Sequence, residues 1–379
     1  MKSHYKILGD YIREVNVRNT ELKDLDLLGI SIQKEFIPSI ANTIGTDMSK
    51  YKIVKKNQFA YGTVTSRNGD KISIALLQNY DEALISQSYI SFEVIDENVL
   101  LPEYLMMWFR RTEFDRYARY MSYGSAREVF SWEEMCNVKL PVPTIEKQRE
   151  IVKEYSTILN RIKLNEKKIE KLEELGQSIY KKWFIDNNYL KSKLSKNITE
   201  QLEIKKLGDI SEMKYGKIVK KEMFLSKGYP VFSGYGIRGY CDNYMYENSE
   251  ITVIARGVSG TGKVVMSPPK SFITNLSIVV QGKEDIIDKN YLYYYLKNKN
   301  LISIDSGSAQ SQITTSDLAN VEIKIPYKKV QDEFSNIIDK IMKKIEMKKQ
   351  EINILEELHL ILNSKISYVK EWLKNGEKL

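Results

Sequence analysis

Residues 124–175 align with residues 307–358 at a constant offset of 183 and without a gap, and 15 of those 52 positions are identical. Unrelated chains of ordinary composition would share about three. The identities include Gly124-Ser125-Ala126 with Gly307-Ser308-Ala309, Asn137-Val138 with Asn320-Val321, Pro143 with Pro326, Gln148 with Gln331, and Glu173-Glu174-Leu175 with Glu356-Glu357-Leu358. An internal repeat of this length constrains the fold more than any local propensity. Upstream the match loosens. Leu8-Gly9-Asp10 corresponds to Leu207-Gly208-Asp209 and Glu103-Tyr104-Leu105 to Asn290-Tyr291-Leu292, with different spacings between them. Each repeat therefore joins a variable part to a constrained one.

The constrained part has the period of a coiled coil. Ile151, Tyr155, Ile158, Ile162, Asn165, Ile169, Leu172, Gly176 and Ile179 follow alternating steps of four and three. In the second copy the same steps give Phe334, Ile338, Ile341, Ile345, Lys348, Ile352, Leu355, His359 and Leu362. Both seams turn polar or small at the same two places, Asn165 with Lys348 and Gly176 with His359. Such residues cost stability and specify register. Pro141, Pro143 and Pro326 precede the helices and end what comes before them. Each helix is predicted to run about 40 residues, roughly 60 Å at 1.5 Å per residue. One heptad helix alone would suggest a dimerisation device. Two in one chain, each behind a globular segment, favour an intramolecular antiparallel pair.

The variable part mixes strand patterns, such as 71–77 and 251–255, with a helical stretch, 103–121, carrying Trp108 and Phe109 on its apolar side. The fold class is α+β: two similar domains joined by two long antiparallel coiled-coil helices, an internal pseudo-twofold duplication. The boundaries read as a first domain at 1–143, its helix at 144–186, a linker rich in Lys, Ser and Asn at 187–204, a second domain at 205–326, and its helix at 327–379.

Chemistry is scarce. The only cysteines are Cys136 and Cys241 and the only histidines His4 and His359. No zinc site, disulfide framework or histidine-based acid–base mechanism can be assembled from these. No catalytic residue and no metal ligand is assigned. Acid pairs such as Glu133-Glu134 read as helix surface. Gly257-Val258-Ser259-Gly260-Thr261-Gly262-Lys263 fills seven places of a phosphate-binding loop. The eighth is Val264 where Ser or Thr would hold magnesium, and Pro268-Pro269 block the helix such a loop needs. A glycine-rich turn between strands fits better. No apolar run reaches membrane-spanning length and residues 1–10 lack a signal-peptide layout, so a cytoplasmic location is expected. The net charge of +8 suggests an anionic partner. By segment, however, residues 1–144 sum to about −1 and 205–326 to about +4. A first domain that binds an anion must use a local patch. Arg110, Arg111, Arg116, Arg119 and Arg127 offer one, and a solvated helix face would explain the same run.

The order of several motifs resembles the specificity subunit of type I restriction–modification systems. They are Leu207-Gly208-Asp209, Tyr229-Pro230-Val231-Phe232-Ser233-Gly234 leading to Gly236-Ile237-Arg238-Gly239-Tyr240, Ile254-Ala255-Arg256-Gly257, Gly307-Ser308-Ala309-Gln310, and the stretch 325–333. In the first half, Leu140-Pro141-Val142-Pro143 followed by Glu146-Lys147-Gln148 adds to them. The resemblance spans nearly the whole chain. It implies a non-catalytic, sequence-specific DNA-binding subunit with two target-recognition domains, each reading one half of a bipartite double-stranded site. It also implies helices that set the gap and dock methyltransferase subunits, two in number, with a restriction-translocase subunit able to join, in a bacterial or archaeal cytoplasm. No cofactor is expected in this chain; S-adenosylmethionine, ATP and Mg would serve the partners. The first half departs from the pattern in having no Gly-Gly-Asn-Gly-like loop before residue 60.

Polar loop residues are the candidates for DNA contact: Tyr61, Thr63, Arg67, Lys71, Ser125 and Arg127 in the first domain, and Ser233, Tyr235, Arg238, Arg256, Ser259, Thr261, Lys263, Gln310 and Gln312 in the second. Three other readings compete. One is a specificity subunit of a modification-only system, another a coiled-coil protein-binding scaffold without DNA readout, and the third a nucleotide-dependent enzyme using the 257–263 loop.

Overall fold

The structure is a computed structural model that describes residues 5–66, 68–124, 127–186, 203–257, 260–304 and 311–367, with side chains to 362. It divides into two compact units, one of Met1–Leu164 with Glu351–Leu379 and the other of Asn165–Gln350. The cut falls within both long helices, so each unit holds one globular domain and half of each helix.

In the first unit a four-stranded antiparallel sheet runs in the order Ile12–Val15, Tyr89–Val94, Phe59–Gly62, Ile74–Leu76. A second sheet of five short strands includes Leu27–Ile30, which is antiparallel to Phe36–Pro38 and parallel to Glu82–Ile85. Strands Tyr5–Ile7 and Lys139–Pro141 pair to close the domain. The helices are α1 (Pro102–Phe109), α2 (Thr112–Tyr120), α3 (Trp132–Cys136) and the long α4 (Ile145–Tyr180), which ends in a π turn, Lys181–Ile185. The single helix expected over 103–121 is thus two. Arg111 takes an extended backbone as the N-cap of α2, and its guanidinium lies 4.1 Å from the Trp108 ring centroid. The core gathers Phe59, Phe92, Phe109, Phe114 and Phe130 with the α4 residues Ile151 and Tyr155.

The second unit repeats this plan. Its four-stranded sheet has the order Ser211–Tyr215, Ser277–Gly282, Ile251–Ile254, Val264–Met266. The hairpin Tyr229–Ser233 with Gly236–Cys241 sits parallel to Phe272–Ile273. Strands Glu203–Lys206 and Glu322–Ile325 close the domain. Its helices are α5 (Leu207–Ile210), α6 (Lys289–Asn298), α7 (Thr315–Ala319) and the long α8 (Lys328–Ser367).

The repeat extends to individual hydrogen bonds. Leu8 N donates to Val138 O and Leu207 N to Val321 O, both at 2.8 Å. Tyr104 Oη donates to Pro141 O at 3.1 Å, and Tyr291 Oη to Lys324 O at 2.6 Å. Ser131 caps α3 as Thr314 caps α7. The fully buried Gln148 accepts from Leu101 N and donates to the carbonyls of Val99 and Pro143. Gln331 does the same with Asp288 N, Ile286 O and Pro326 O. The identical glutamines thus join the start of each long helix to the start of α1 or α6.

All eighteen seam positions are buried or half-buried. In the first unit Tyr155 packs on His359, ring centroids 4.7 Å apart, and Arg161 pairs with Glu351 at 2.5 Å. In the second, Tyr180, Trp183 and Phe184 surround Phe334. Numbers rise along α4 as they fall along α8, so the pairing in each unit is antiparallel. Burying a side chain such as Phe334 contributes about 1.5–3 kcal/mol. The interruptions have separate causes. A Cβ on Gly176 would lie 2.1 Å from Tyr294 Oη, so glycine admits the tyrosine of α6. The place of Tyr294 is taken in the first domain by Met107, and there the seam carries His359. Asn165 is fully buried, and neither amide atom bonds to a described residue. A buried, unbonded amide costs about 1–3 kcal/mol, the expected expense of a register-setting position.

Candidate nucleic-acid interface

The described residues of the glycine-rich stretch, 255–257 and 260–263, lie between antiparallel strands Ile251–Ile254 and Val264–Met266 and form the two ends of a turn. Ile254 N bonds to Lys263 O and Gly262 N to Ile254 O, closing it. A strand follows the turn where a phosphate-binding loop would need a helix. This removes the geometric basis for nucleotide binding there. Tyr235, at the tip of the adjacent hairpin, lies over the turn and donates to Arg256 O at 3.4 Å. A Cβ on Gly257, whose φ is +148°, would stand 1.9 Å from Tyr235 Oη, and one on Gly260 2.7 Å from Cε1. The two glycines therefore make room for the ring.

The second-domain candidates divide by placement. Tyr235, Arg238, Arg256 and Lys263 are exposed and Gln312 is half-exposed. Arg256 forms an isolated antiparallel bridge with Gln312, and its guanidinium stands 5.9 Å over Tyr215. Tyr235, Arg256, Lys263 and Gln312 therefore share one surface. Ser233 and Thr261 belong to its support. Ser233 is buried with Oγ bonding Gly236 O, and Thr261 is buried with Oγ1 shared between Gly257 O and Ser311 O. Both are corrected from readers to braces. Ser259 and Gln310 lie outside the described residues.

In the first domain the turn at the same topological place, described at 63–66 and 68–73, lies between Phe59–Gly62 and Ile74–Leu76. Val64 bridges Val129, which matches Gln312 at the offset of 183, and Phe130 N bonds Thr63 O at 2.9 Å as Ile313 N bonds Ala255 O at 2.8 Å. Thr63 is half-buried, while Lys71 and Arg127 are exposed. Arg67 and Ser125 lie outside the described residues. Tyr61 is a correction. It is fully buried, edge-on to Phe92 and Phe130, and burial holds its phenol well above the usual range. Alternation along Phe59–Gly62 turns it inward. The arginine run is not a free patch either. Arg110 stands 3.9 Å from Glu35, Arg111 is buried on Trp108 and 3.4 Å from Glu113, and Arg119 pairs with Glu128. Arg116 and Arg127 are its exposed members.

The first domain forms the matching hairpin without a Gly-Gly-Asn-Gly-like loop. Leu27–Ile30 and Phe36–Pro38 stand where the second domain has Tyr229–Ser233 and Gly236–Cys241. In place of glycine, Lys34 supplies the left-handed residue at φ 65°. Its ammonium is buried, 2.7 Å from Asp115 Oδ1, and it donates to Phe109 O at the end of α1. Asp115 Oδ1 also accepts from Ile72 N at 3.1 Å, at the end of the 63–73 turn. Residues 34, 72 and 115 are too far apart in sequence for local patterning to show this cluster.

These features define a duplicated α+β protein in which two loop-bearing domains are each bonded to the start of a long seam helix. The type I restriction modification DNA specificity domain matches twice, over residues 18–174 and 199–357, and the chain belongs to that family. It is 23% identical over 303 residues to the type I restriction enzyme MjaIX specificity subunit of Methanocaldococcus jannaschii, covering 73% of this chain and 70% of that protein. Another relative, the MjaVIII specificity subunit of the same organism, is 26% identical over 268 residues, 61% of this chain and 62% of that one. The fold is shared with the S subunit of a type I restriction–modification system from M. genitalium, with TM-score 0.58, 17% identity, and 96% of this chain and 95% of that chain covered. Among the described residues no helix is long and apolar enough to cross a membrane.

Proposed function

We propose that each globular domain reads one half of a bipartite double-stranded DNA site, and that the paired seam helices hold the domains and receive adenine methyltransferase subunits. The observation that carries this reading is the recurrence of one turn. At the same place in both sheets, a strand-to-strand turn exposes basic side chains, Lys71 in one domain and Arg256 with Lys263 in the other. Each turn is bridged to the segment that leads into its long helix, at Val129 and Gln312. Base edges are read by side chains presented in this way, while lysine and arginine also meet phosphates and make affinity depend on salt. Two such surfaces on one chain call for two half-sites.

In this reading the chain performs no chemistry. S-adenosylmethionine, and ATP with Mg where a nuclease-translocase joins, act in partner subunits, which flip and methylate adenines. Mapping methylated bases in host cells with and without the gene tests it. Adenine methylation at a motif of two specified halves around an unspecified gap should disappear on deletion. Exchange of residues 205–326 for those of a relative should change one half alone. An unchanged methylation map on deletion, with the partner methyltransferase expressed, would refute the reading.

A further inference from the structure

We propose that Asp115, with Lys34 as its buried counter-ion, is a positioning residue for DNA reading by the first domain, fixing the end of the turn at Lys71 through the hydrogen bond that its Oδ1 accepts from Ile72 N; this rests on the function proposed above. One carboxylate oxygen holds two partners. Asp115 Oδ1 receives the Lys34 ammonium at 2.7 Å and the Ile72 amide at 3.1 Å. Both side chains are more than nine-tenths buried. Ile72 is buried and follows the exposed Lys71, so its amide holds the turn on that side, as the Val64–Val129 bridge and the bond from Thr65 N to Glu128 O hold it on the other. The ammonium also bonds the Phe109 carbonyl, so the cluster ties the hairpin tip, the end of α1, the first turn of α2 and the reading turn together.

The second domain supports a positioning role, because it secures the same point by other means. Strand Val264–Met266 corresponds to Ile74–Leu76, which places Gly262 where the first domain has Ile72. The offset of 187 that aligns Tyr104 with Tyr291 places Ile302 at Asp115. Gly262, with φ +83°, packs so closely there that a Cβ would stand 2.9 Å from Ile302 N. Both turns are thus anchored to the segment after α1 or α6, one by a charged pair and the other by close backbone packing. A cluster that served only core stability would not need a counterpart at this point.

The charged pair makes anchoring separable from stability. Burial already lowers the Lys34 pKa despite its partner, so an unpaired charge of either sign would be costly. Lys34→Met with Asp115→Asn removes both charges and keeps an oxygen for Ile72 N. Lys34→Met with Asp115→Leu removes both charges and leaves Ile72 N unbonded. Asp115→Glu keeps the ion pair and displaces the acceptor by one methylene. Each full-length variant is expressed with the cognate methyltransferase, and methylated sites are mapped while thermal midpoints are measured.

The Asn double variant should retain discrimination at both half-sites to within about threefold, less than the cost of one unbonded buried amide. The Leu double variant, at a thermal midpoint close to that of the Asn variant, should lose about tenfold or more at the first half-site and nothing at the second. Asp115→Glu should shift the same way, and it decides the matter if the Leu variant does not fold. Wild-type discrimination at the first half-site in either of these two would overturn the proposal. Absence of bipartite methylation with the wild-type gene would instead refute the function on which it rests.

Discussion

Gln148→Leu tests how each domain is joined to its helix. The side chain is fully buried, accepts from Leu101 N at 2.9 Å, and donates to Val99 O at 2.8 Å and Pro143 O at 2.9 Å. Leucine nearly matches its volume, so packing changes little while three hydrogen bonds vanish. The stranded amide costs about 1–3 kcal/mol and each carbonyl, with its second lone pair, about 1 kcal/mol. Added apolar burial returns about 1 kcal/mol. A net loss of about 2–4 kcal/mol is expected, focused where α1 begins. The Leu105 amide, bonded to Leu101 O at 3.0 Å, reports it by hydrogen exchange. Its exchange should quicken by about a hundredfold, at tenfold per 1.36 kcal/mol. The matching Leu292 amide, bonded to Asp288 O at 2.9 Å, should not change, and Gln331→Leu should give the reverse pattern. A change below threefold at Leu105, or an equal change at Leu292, would show that the glutamine is not the joint.

Gly176→Ala sets about 1 kcal/mol of helix propensity against overpacking of about 1–3 kcal/mol from a Cβ 2.1 Å from Tyr294 Oη. It should lower the thermal midpoint, and adding Tyr294→Leu should cancel or invert that effect; a stabilising alanine in the wild-type background would contradict the packing account. Gly262→Ala places a side chain at φ +83° and 2.9 Å from Ile302 N, so methylation mapping should show relaxed reading of the second half-site with the first intact. Equal relaxation of both would refute the anchor. His359 is held below its ordinary pKa of 6.5, first by burial and then by Arg110. The folded state therefore binds its proton less readily than the unfolded one. The stability from neutral His359 is complete above pH 6.5 and declines as pH falls from there through the folded-state pKa. Thermal midpoints of wild type should fall more steeply from pH 7 to 5 than those of His359→Leu, and parallel curves would remove histidine from the account.

The helices were legible because a seam imposes one rule on every turn. Residues such as Ile162 and Ile345 were assigned from spacing alone, and both are covered. Periodicity did not reveal why the rule breaks. Gly176 looks like a weak heptad position until Tyr294 is seen above it, and Tyr294 lies more than a hundred residues away in sequence. The loops were harder for the same reason. Ser233 and Thr261 have the chemistry of readers, but their hydroxyls are buried and donate to backbone carbonyls. Tyr61 sits one residue from a turn, yet strand alternation turns it inward. Composition told which side chains could meet DNA, and tertiary placement decided which are free to do so.

The two domains differ most where their side chains do the same work. Backbone bonds such as Leu8 to Val138 and Leu207 to Val321 recur with equal lengths, and Gln148 and Gln331 bond backbone groups at matching positions. At the turns proposed to meet DNA the agreement is in position alone: a carboxylate meets an amide in one domain, and a glycine meets backbone in the other. A domain that must change its target while keeping its place on the helix needs this division. Joints specified by side chain and backbone together tolerate little substitution, because each loss strands a buried group. An anchor specified only by location accepts several chemistries. The residues beyond it, Lys71 among them, can then vary without moving the turn that presents them.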